Sequence, residues 1–579
     1  MTINRPAPND ITRHHAGTSN NPSLSGALDP EIEALQVALS LLRTQRDTLS
    51  PMSHMFDGEE ESNLEEQIED AQHNLENLMS LRSPIARLSE ESLFAIISYA
   101  KWFPDANYRG VKMPQILACA LVSKRWHRIV ASSPYMWDVV NANWTVRKIK
   151  RWFVMSRAAK LHIKMCEALE VGQDSVAITR LISTELSRIR SLQIITSPVH
   201  MDEWRRVLDH DAPMMETLSL YITDTSYRLN LTFPATYFHG RPPPLLRKLE
   251  FYGPHIVWTS PHLRNLTCLR IQGRDHPDRP HVPLAQVLRS LQYLPLLQHL
   301  EATGRVFPDD DDNPQSLLVT MSRLKLLRFE GMVEQWCPLF IHLRLPFATE
   351  IDLRSTSRNP GDVERLFDHL TVHFRNESGS AGRKNKFDSV TMHQDEGGLR
   401  LQAECTESTG RSPLRIDLKF TGLSDEKLRE EVYVKFATIV PVSRATRLCL
   451  TGTMPTRGQW EGIDQAMGLL TVLRLGQEAC GMFPCAVLKA EHSLFMGLLR
   501  IEIEKAPLHE VTEVSGAEVG HQFWEDMENS VVKVLEGQMV ERPGEEHLSV
   551  VRFLRCSGDV DENFRAQLCS REVQVEEIA

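Results

Sequence analysis

The residues best suited to chemistry in this chain are histidines, cysteines and aspartates, but their spacing fits no reactive site. His14 and His15 could ligate a metal, yet two adjacent histidines in a polar stretch lack the convergent partners that a metal site needs. The run Asp309 to Asp312 suggests calcium, but consecutive carboxylates cannot present alternate ligands as a calcium loop does. It predicts a solvated turn. The 10 cysteines show no CxxC spacing, which favours reduced thiols over zinc or disulfides.

Catalytic motifs are also missing from the sequence. We find no nucleophile elbow, Walker loop, dinucleotide fingerprint or HExxH pair. We therefore expect no catalytic residue, no metal and no cofactor. A hydrolase with an unrecognisable site is the weakest of the alternatives.

Composition narrows the possible partners. The 579 residues are 42% hydrophobic and 24% charged, as in ordinary globular proteins, and the net charge of −11 argues against binding to nucleic acid backbones. No apolar run approaches the ~18 residues of a membrane span, and residues 1–20 lack the apolar stretch of a signal peptide. We expect a cytoplasmic or nuclear protein that binds neither nucleic acid nor membrane.

The N-terminal part divides into a tail and two amphipathic segments. Residues 1–28 are polar and without apolar periodicity, which predicts a disordered tail. Residues 29–82 carry two heptad seams, separated by an acidic stretch, and Asp29 and Asn63 are plausible helix N-caps. The simplest interpretation is a coiled-coil-like helical hairpin within one chain; self-association through the seams is the alternative. The seam residues are Ile32, Leu35, Leu39, Leu42, Leu49, Leu64, Ile68, Ala71, Leu75 and Leu78.

Residues 83–140 carry the most specific pattern. A Pro-Ile pair and a Leu-Ser-x-Glu helix start are followed by apolar helical positions, a Leu-Val-Ser-Lys-Arg-Trp segment and a closing Pro-x-Met-Trp. The segment resembles the F-box, in the variant expanded in mushroom-forming fungi. Two positions depart from that pattern: Ser89 replaces a proline, although its hydroxyl can still cap the helix, and residues 103–113 look like an insertion.

The resemblance implies a docking role. An F-box binds the small Skp-type adaptor of a cullin-RING ubiquitin ligase, and the apolar positions here exceed what a unit of this size buries alone. The alternative is that they form the core between the hairpin and the rest of the chain. The adaptor-binding residues that the resemblance implies are Pro84, Ile85, Leu88, Leu93, Ile96, Ile97, Leu121 and Trp126.

Residues 141–579 repeat a short alternating pattern, in which an apolar residue, any residue and an apolar residue follow one another. Helical segments such as 201–208, 284–294 and 363–370 lie between the repeats. The intervals are mostly close to those of leucine-rich repeats, although the Asn position of that pattern is absent, and residues 376–388 and 537–546 look like inserts. The repeats are Leu161/Ile163, Leu192/Ile194, Leu218/Leu220, Leu249/Phe251, Leu269/Ile271, Leu300/Ala302, Leu327/Phe329, Ile351/Leu353, Val390/Met392, Ile416/Leu418, Leu448/Leu450, Leu473/Leu475, Ile501/Ile503 and Val551/Phe553.

The middle residue of each repeat tests this interpretation. In a strand with one buried face, the middle residue points to solvent, and here nearly all the middle residues are polar. Several alternate in sign, so neighbouring parallel strands would form a ladder of ion pairs. A target protein would then be recognised by patterned polar contacts. The candidate target-binding residues are Glu250, Arg270, Glu301, Arg328, Asp352, Arg474, Glu502 and Arg552.

Together these patterns predict an α/β repeat fold. We expect an irregular leucine-rich-repeat-like solenoid with a parallel sheet on one face, preceded by an all-α F-box-like module and the helical hairpin. Separate α/β domains are the alternative. The function expected is substrate recognition in a cullin-RING ubiquitin ligase, with an adaptor, a cullin and an unknown target protein as partners. A repeat scaffold without a ligase role is the rival.

Overall fold

The computed structural model divides into two units, Met1–Met136 and Trp137–Ala579. Several features discussed above lie outside the described residues: residues 1–23 of the predicted tail, the histidine pair among them; Pro84; the segment 103–113; the aspartate run; and residues 377–386 of a predicted insert. The described residues are 24–49, 59–82, 85, 88–100, 115–141, 144–166, 174–223, 232–253, 255–273, 282–304, 306–307, 317–346, 348–357, 360–376, 387–395, 398–404, 414–420, 432, 434–438, 442, 445–452, 457–476, 483, 487–488, 494–504, 518–541, 546–554 and 562–578.

The first unit opens with two helices, α1 (Leu24–Leu49) and α2 (Glu59–Arg82), which contact each other. Ile32, Leu39 and Ile68 of the predicted seams are buried. Both helices begin earlier than predicted, because Asp29 and Asn63 lie inside them and are not N-caps. Residues 24–28, which were expected to be part of the tail, are helical.

Three shorter helices follow: α3 (Glu90–Ala100), α4 (Gln115–Ala120) and α5 (Lys124–Ser132). The predicted cap at Ser89 is confirmed, since its hydroxyl accepts a hydrogen bond from the Ser92 amide at 3.2 Å. Ser123 caps α5 in the same way, through the Trp126 amide at 3.2 Å. Serine thus satisfies a free amide at the start of α3 and of α5.

The second unit is built on one 17-stranded sheet. Its strands lie in the spatial order β1, β2, β3, β4, β6, β8, β9, β11, β13, β16, β15, β14, β17, β18, β19, β20, β21, and two small pairs, β5 with β7 and β10 with β12, lie apart from it. The strands are β1 Val139–Asn141, β2 Leu161–Cys166, β3 Ile189–Thr196, β4 Thr217–Ile222, β5 Thr232–Phe233, β6 Lys248–Tyr252, β7 His255–Ile256, β8 Cys268–Gln272, β9 His299–Thr303, β10 Val319–Thr320, β11 Leu326–Met332, β12 Leu343–Arg344, β13 Glu350–Ser357, β14 Ser389–Asp395, β15 Gly398–Glu404, β16 Leu414–Phe420, β17 Arg447–Gly452, β18 Val472–Gly476, β19 Arg500–Glu504, β20 Val550–Leu554 and β21 Gln574–Ile578.

All the predicted repeats form strands of this one sheet, and the two flanking apolar residues of every repeat are buried. This confirms the alternation and places every predicted repeat in the same sheet. Burial on one face follows from the period of 2, which sends alternate side chains to opposite faces. Three strands of the sheet were not predicted: β1 and β21 lack a complete apolar, polar, apolar triplet within their bounds, whereas β15 carries one at Leu399-Arg400-Leu401 that was overlooked.

Strand order departs from chain order at one place. β13 pairs in parallel with β16, and β14 pairs in parallel with β17. Between them β15 pairs antiparallel with both β14 and β16. Consecutive repeats are therefore not neighbours here, because β15 lies antiparallel between the repeat strands β14 and β16, and β16 rather than β14 pairs with β13.

Helices connect most of the strands. The predicted helix at 201–208 is confirmed with those bounds, and two segments differ from their predicted assignment. Residues 137–140, expected to close the F-box-like domain, belong to the sheet unit, with 139 and 140 in β1; residues 537–541, expected to be part of an insert, end a long helix. The helices are α6 Val146–Ser156, α7 Asp174–Glu185, α8 Met201–Leu208, α9 Leu284–Gln292, α10 Val333–Phe340, α11 Pro360–Asn376, α12 Arg457–Ala466, α13 Glu518–Glu541 and α14 Glu562–Ser570.

Aromatic side chains join helices to the apolar face of the sheet. Trp336 of α10 stacks on Phe329 of β11 with ring centroids 5.4 Å apart. Phe564 of α14 packs edge-on against Phe553 of β20 at 6.1 Å. Such pairs add to the free energy of burying the rings themselves. The core of this unit therefore lies between the helices and the sheet.

Two histidines on α11 lie in this packed region. The His369 ring is 5.1 Å from Phe340 of α10, and burial lowers the pKa of His369 to about 4. Burial also lowers the pKa of His373, one turn further along, to about 4. Both rings are therefore neutral in the folded chain at neutral pH.

We predict that these histidines weaken the fold in mild acid. Their pKa lies below that of an unfolded histidine, so stability is lost as the pH falls from about 6.5 towards 4. Between about pH 7.5 and pH 5.5 the loss should be about 1 kcal/mol per histidine. Urea unfolding of H369Q/H373Q should depend less on pH than that of the wild type. The exposed His210→Gln variant is the control, and an equal effect there would contradict the prediction.

Candidate functional site

The structure separates the adaptor-binding candidates into buried and exposed side chains. Leu93 and Ile97 of α3 are fully buried within the chain, so they belong to the core of the helical unit and offer no surface to a partner. Leu88 and Trp126 are half-buried. Ile85, Ile96 and Leu121 are exposed. The candidates therefore do not form one surface, because the helical period turns adjacent positions to opposite sides.

The exposed apolar side chains are large and numerous for so short a segment. Ile96 is 47% and Leu121 73% exposed. Tyr99 and Val122, which are not among the candidate adaptor-binding residues, are exposed as well. Ile96 and Tyr99 lie three residues apart on α3 and so share one face of that helix.

Hydrogen bonds hold the segments that carry these side chains. The Arg125 guanidinium of α5 donates to the Leu88 carbonyl at 2.6 Å, just before α3 begins. Lys124 Nζ lies 3.2 Å from Nδ1 of His73 on α2. The exposed apolar residues are thus presented by helices that are fixed to one another.

The polar face of the sheet carries the other candidate site. Residues of the polar face align across the strands in one continuous row, because each pairs in register with the next. Most are middle residues of the repeats, but β16 contributes Arg415 and not its middle residue Asp417, and the unpredicted strands β15 and β21 contribute Gln402 and Glu576. The row runs Ser219, Glu250, Arg270, Glu301, Arg328, Asp352, Arg415, Gln402, Thr391, Cys449, Arg474, Glu502, Arg552 and Glu576.

The first half of this row is a continuous chain of ion pairs. Arg270 contacts Glu250 at 3.0 Å and Glu301 at 2.8 Å. Arg328 lies on the other side of Glu301, at 3.4 Å, and contacts Asp352 at 2.7 Å. Each inner charge therefore has a neighbour of opposite sign on both sides. The ladder expected from the sequence is present here.

Glu250 is the most buried charge in the row, at 1% exposure. Its carboxylate accepts hydrogen bonds from Ser219 Oγ at 2.6 Å and from the Tyr221 hydroxyl at 3.0 Å, and it pairs with Lys248 at 2.9 Å. Burial alone would raise the pKa of Glu250, but these hydrogen bonds and the lysine charge hold the pKa below its usual value. It therefore stays ionised.

Three middle residues are buried, although the sequence predicts that the middle residues point to solvent. Ser219, Glu250 and Asp352 are buried, although they lie on the polar face. Longer neighbours account for two of them: arginines lie beside both carboxylates, and Arg354 adds a second contact to Asp352 at 3.1 Å. A carboxylate on the polar face can be buried when longer arginine side chains on the neighbouring strands cover it.

The second half of the row is only partly paired as expected. Arg552 contacts Glu502 at 3.5 Å and Glu576 at 2.5 Å. Arg474, however, pairs with Glu504 at 2.9 Å. Glu504 is two residues beyond Glu502 on the same strand, so the arginine reaches a diagonal neighbour. Between the two halves, Asp352 is next to Arg415 and not to Thr391, because of the strand exchange at β14–β16.

Two cysteines in the strands of the sheet, one buried and one half-buried, do not add a reactive group. Burial raises the pKa of both Cys268 and Cys449 to about 11. These thiols stay protonated at neutral pH and are weak nucleophiles. Within the described residues, no three His, Cys, Asp or Glu side chains converge on a possible metal position, and no helix is long and apolar enough to cross a bilayer.

Comparison with known proteins adds no relative. No protein-family model matches the chain, and no curated protein is significantly similar to it.

We predict that the ladder stabilises the sheet mainly through its buried acid. Glu250→Gln leaves Arg270 and Lys248 without their carboxylate in a buried position and should lower the free energy of unfolding by about 3 kcal/mol. Glu504→Gln removes one half-exposed pair and should cost less than about 1 kcal/mol. Urea unfolding of both variants tests this. An equal loss in the free energy of unfolding for the two variants would show that burial of the acid does not determine how much its ion pairs stabilise the sheet.

Proposed function

We propose that the chain is a noncatalytic substrate receptor of a cullin-RING ubiquitin ligase. The helical segment 83–140 would bind a Skp-type adaptor, as its resemblance to the F-box implies. The polar face of the leucine-rich-repeat-like sheet would bind the target. The proposal places the chain in the cytoplasm or nucleus, where such a ligase would meet its targets.

The observation that carries the adaptor proposal is the exposed apolar surface of the helical unit. Ile85, Ile96 and Leu121 expose much of their side chains, although single exposed apolar residues are common in proteins. Here they lie within one short segment, with Tyr99 and Val122 among them. A partner that covers them would gain the free energy of removing this apolar area from water. Leu93 and Ile97 would support the surface from beneath.

A charge placed on this surface should abolish adaptor binding. We expect I96E/L121E to lose recombinant Skp-type adaptor in a pull-down, since each buried anchor contributes about 2 kcal/mol. Both positions are exposed, so the variant should fold. The matched control is L469E, an exposed leucine of the sheet unit.

The outcome also separates the two candidate functions. Retention of adaptor by a folded I96E/L121E variant would refute docking through this surface. Purification of the wild type from its native cells without any cullin would favour the rival, a repeat scaffold that binds partners outside a ligase.

The target-binding proposal rests on the register of the polar face. Most ladder charges already have partners within the chain. They would therefore assist target binding by keeping the polar face rigid and its charges in fixed positions. Exposed neighbours on the same face, such as Gln272 and Glu330, are available for contact. In the register they are two residues beyond Arg270 and Arg328.

We predict that Q272K/E330K reduces target capture and leaves adaptor binding intact. Both side chains are exposed, so the change alters the surface and not the core. Quantitative mass spectrometry of purified complexes gives both readouts. Unchanged capture of every co-purified candidate would argue against this face as the target site.

A further inference from the structure

A run of cations surrounds α6 in the sheet unit. Between Asp138 and Glu167 the sequence has no acidic residue, in a chain whose net charge is −11. Part of this run lies on α6 and part just after it. The cations are Arg147, Lys148, Lys150, Arg151, Arg157, Lys160 and Lys164.

Helical geometry gathers three of these cations on one outer face. Arg147, Lys150 and Arg151 are exposed, and they follow the i, i+3, i+4 spacing of one side of a helix. Ile149 and Trp152 lie on the opposite side and are buried. Val154, at 73% exposure, continues the outer face one turn further on. We name the surface of Arg147, Lys150, Arg151 and Val154 the basic stripe.

The stripe has no internal counterion in the described part of the chain. None of its three cations forms an ion pair there, whereas the cations of the sheet ladder are paired. Arg147 and Arg151 are one turn apart and repel each other. Arg147 also lies at the start of α6, where the helix dipole disfavours positive charge. The arrangement therefore costs stability in the isolated chain.

The stripe is nevertheless held on a rigid element. Trp152 packs against Trp137 and Trp144 with ring centroids 4.6 Å and 4.5 Å away. The Arg188 guanidinium donates to the Phe153 carbonyl in the last turn of α6 at 3.3 Å and to the Ala159 carbonyl just after the helix at 3.0 Å. The exposed cations are thus carried by a helix that is fixed on its inner side and at its C-terminal end.

We propose that the basic stripe binds an extended acidic peptide segment of a partner protein. One helical turn advances about 5.4 Å, and two residues of an extended chain advance about 6.8 Å. Alternate acidic side chains of an extended segment would therefore reach successive turns of α6. An apolar residue between them would meet Val154. The proposal does not depend on adaptor binding, because α6 belongs to the sheet unit.

The test is fluorescence anisotropy of the full chain with a labelled peptide of alternating glutamate and serine. We expect binding in about 20 mM salt that weakens strongly in about 300 mM salt, because the contacts are exposed. R147Q/K150Q/R151Q should bind about tenfold more weakly. The midpoint temperature of its thermal unfolding should not fall, since glutamine is a good helix former and the substitutions remove repulsion between like charges.

The matched control is R264Q/R289Q/R323Q, which removes the same charge from exposed arginines elsewhere in the unit. It should bind the peptide like the wild type. An equal loss in the control, full binding by R147Q/K150Q/R151Q, or no binding by the wild type would overturn the proposal. Tighter stripe-dependent binding of a single-stranded oligonucleotide of equal charge would instead assign the stripe to nucleic acid.

Discussion

In-register parallel pairing is the constraint on which the rest of this molecule depends. Each repeat strand places its two flanking apolar residues in register with apolar residues of the neighbouring strand, so one face becomes a continuous apolar surface. Helices such as α10 must cover that surface, and the middle residues must share the other face. A shift of one residue in any strand would send its apolar pair to the polar face. Packing and charge alignment are therefore set by the same backbone geometry.

The alignment of the charges on the polar face follows from that geometry as much as from the attraction between the charges. Adjacent strands lie about 4.8 Å apart, so residues of opposite sign in register must meet. Where the register is regular, as at Glu301, a charge has a partner on each side. Arg474 instead pairs with a diagonal neighbour, Glu504. Glu250 shows that such a row can bury an acid when enough donors surround it.

Much of the sheet could be predicted from the sequence, because a period of 2 with a polar middle residue is a local signal. The place of β15 could not, because its Leu399-Arg400-Leu401 alternation does not show that the strand lies antiparallel between β14 and β16. For the helical unit, the pattern located the helices and the cap at Ser89 but could not separate core from surface. Leu93 is buried and Ile96 is exposed because they lie on different sides of α3, which a consensus pattern does not record.

We propose that the helical unit binds the adaptor and that the sheet unit recognises the target. The measurement that tests this most directly is hydrogen–deuterium exchange of the full chain with and without a recombinant Skp-type adaptor. Adaptor binding by the helical unit predicts slower exchange in residues 88–100 and 115–132 when the adaptor is present, and unchanged exchange in the strands of the sheet. Unchanged exchange in both of these helical segments at saturating adaptor would contradict it.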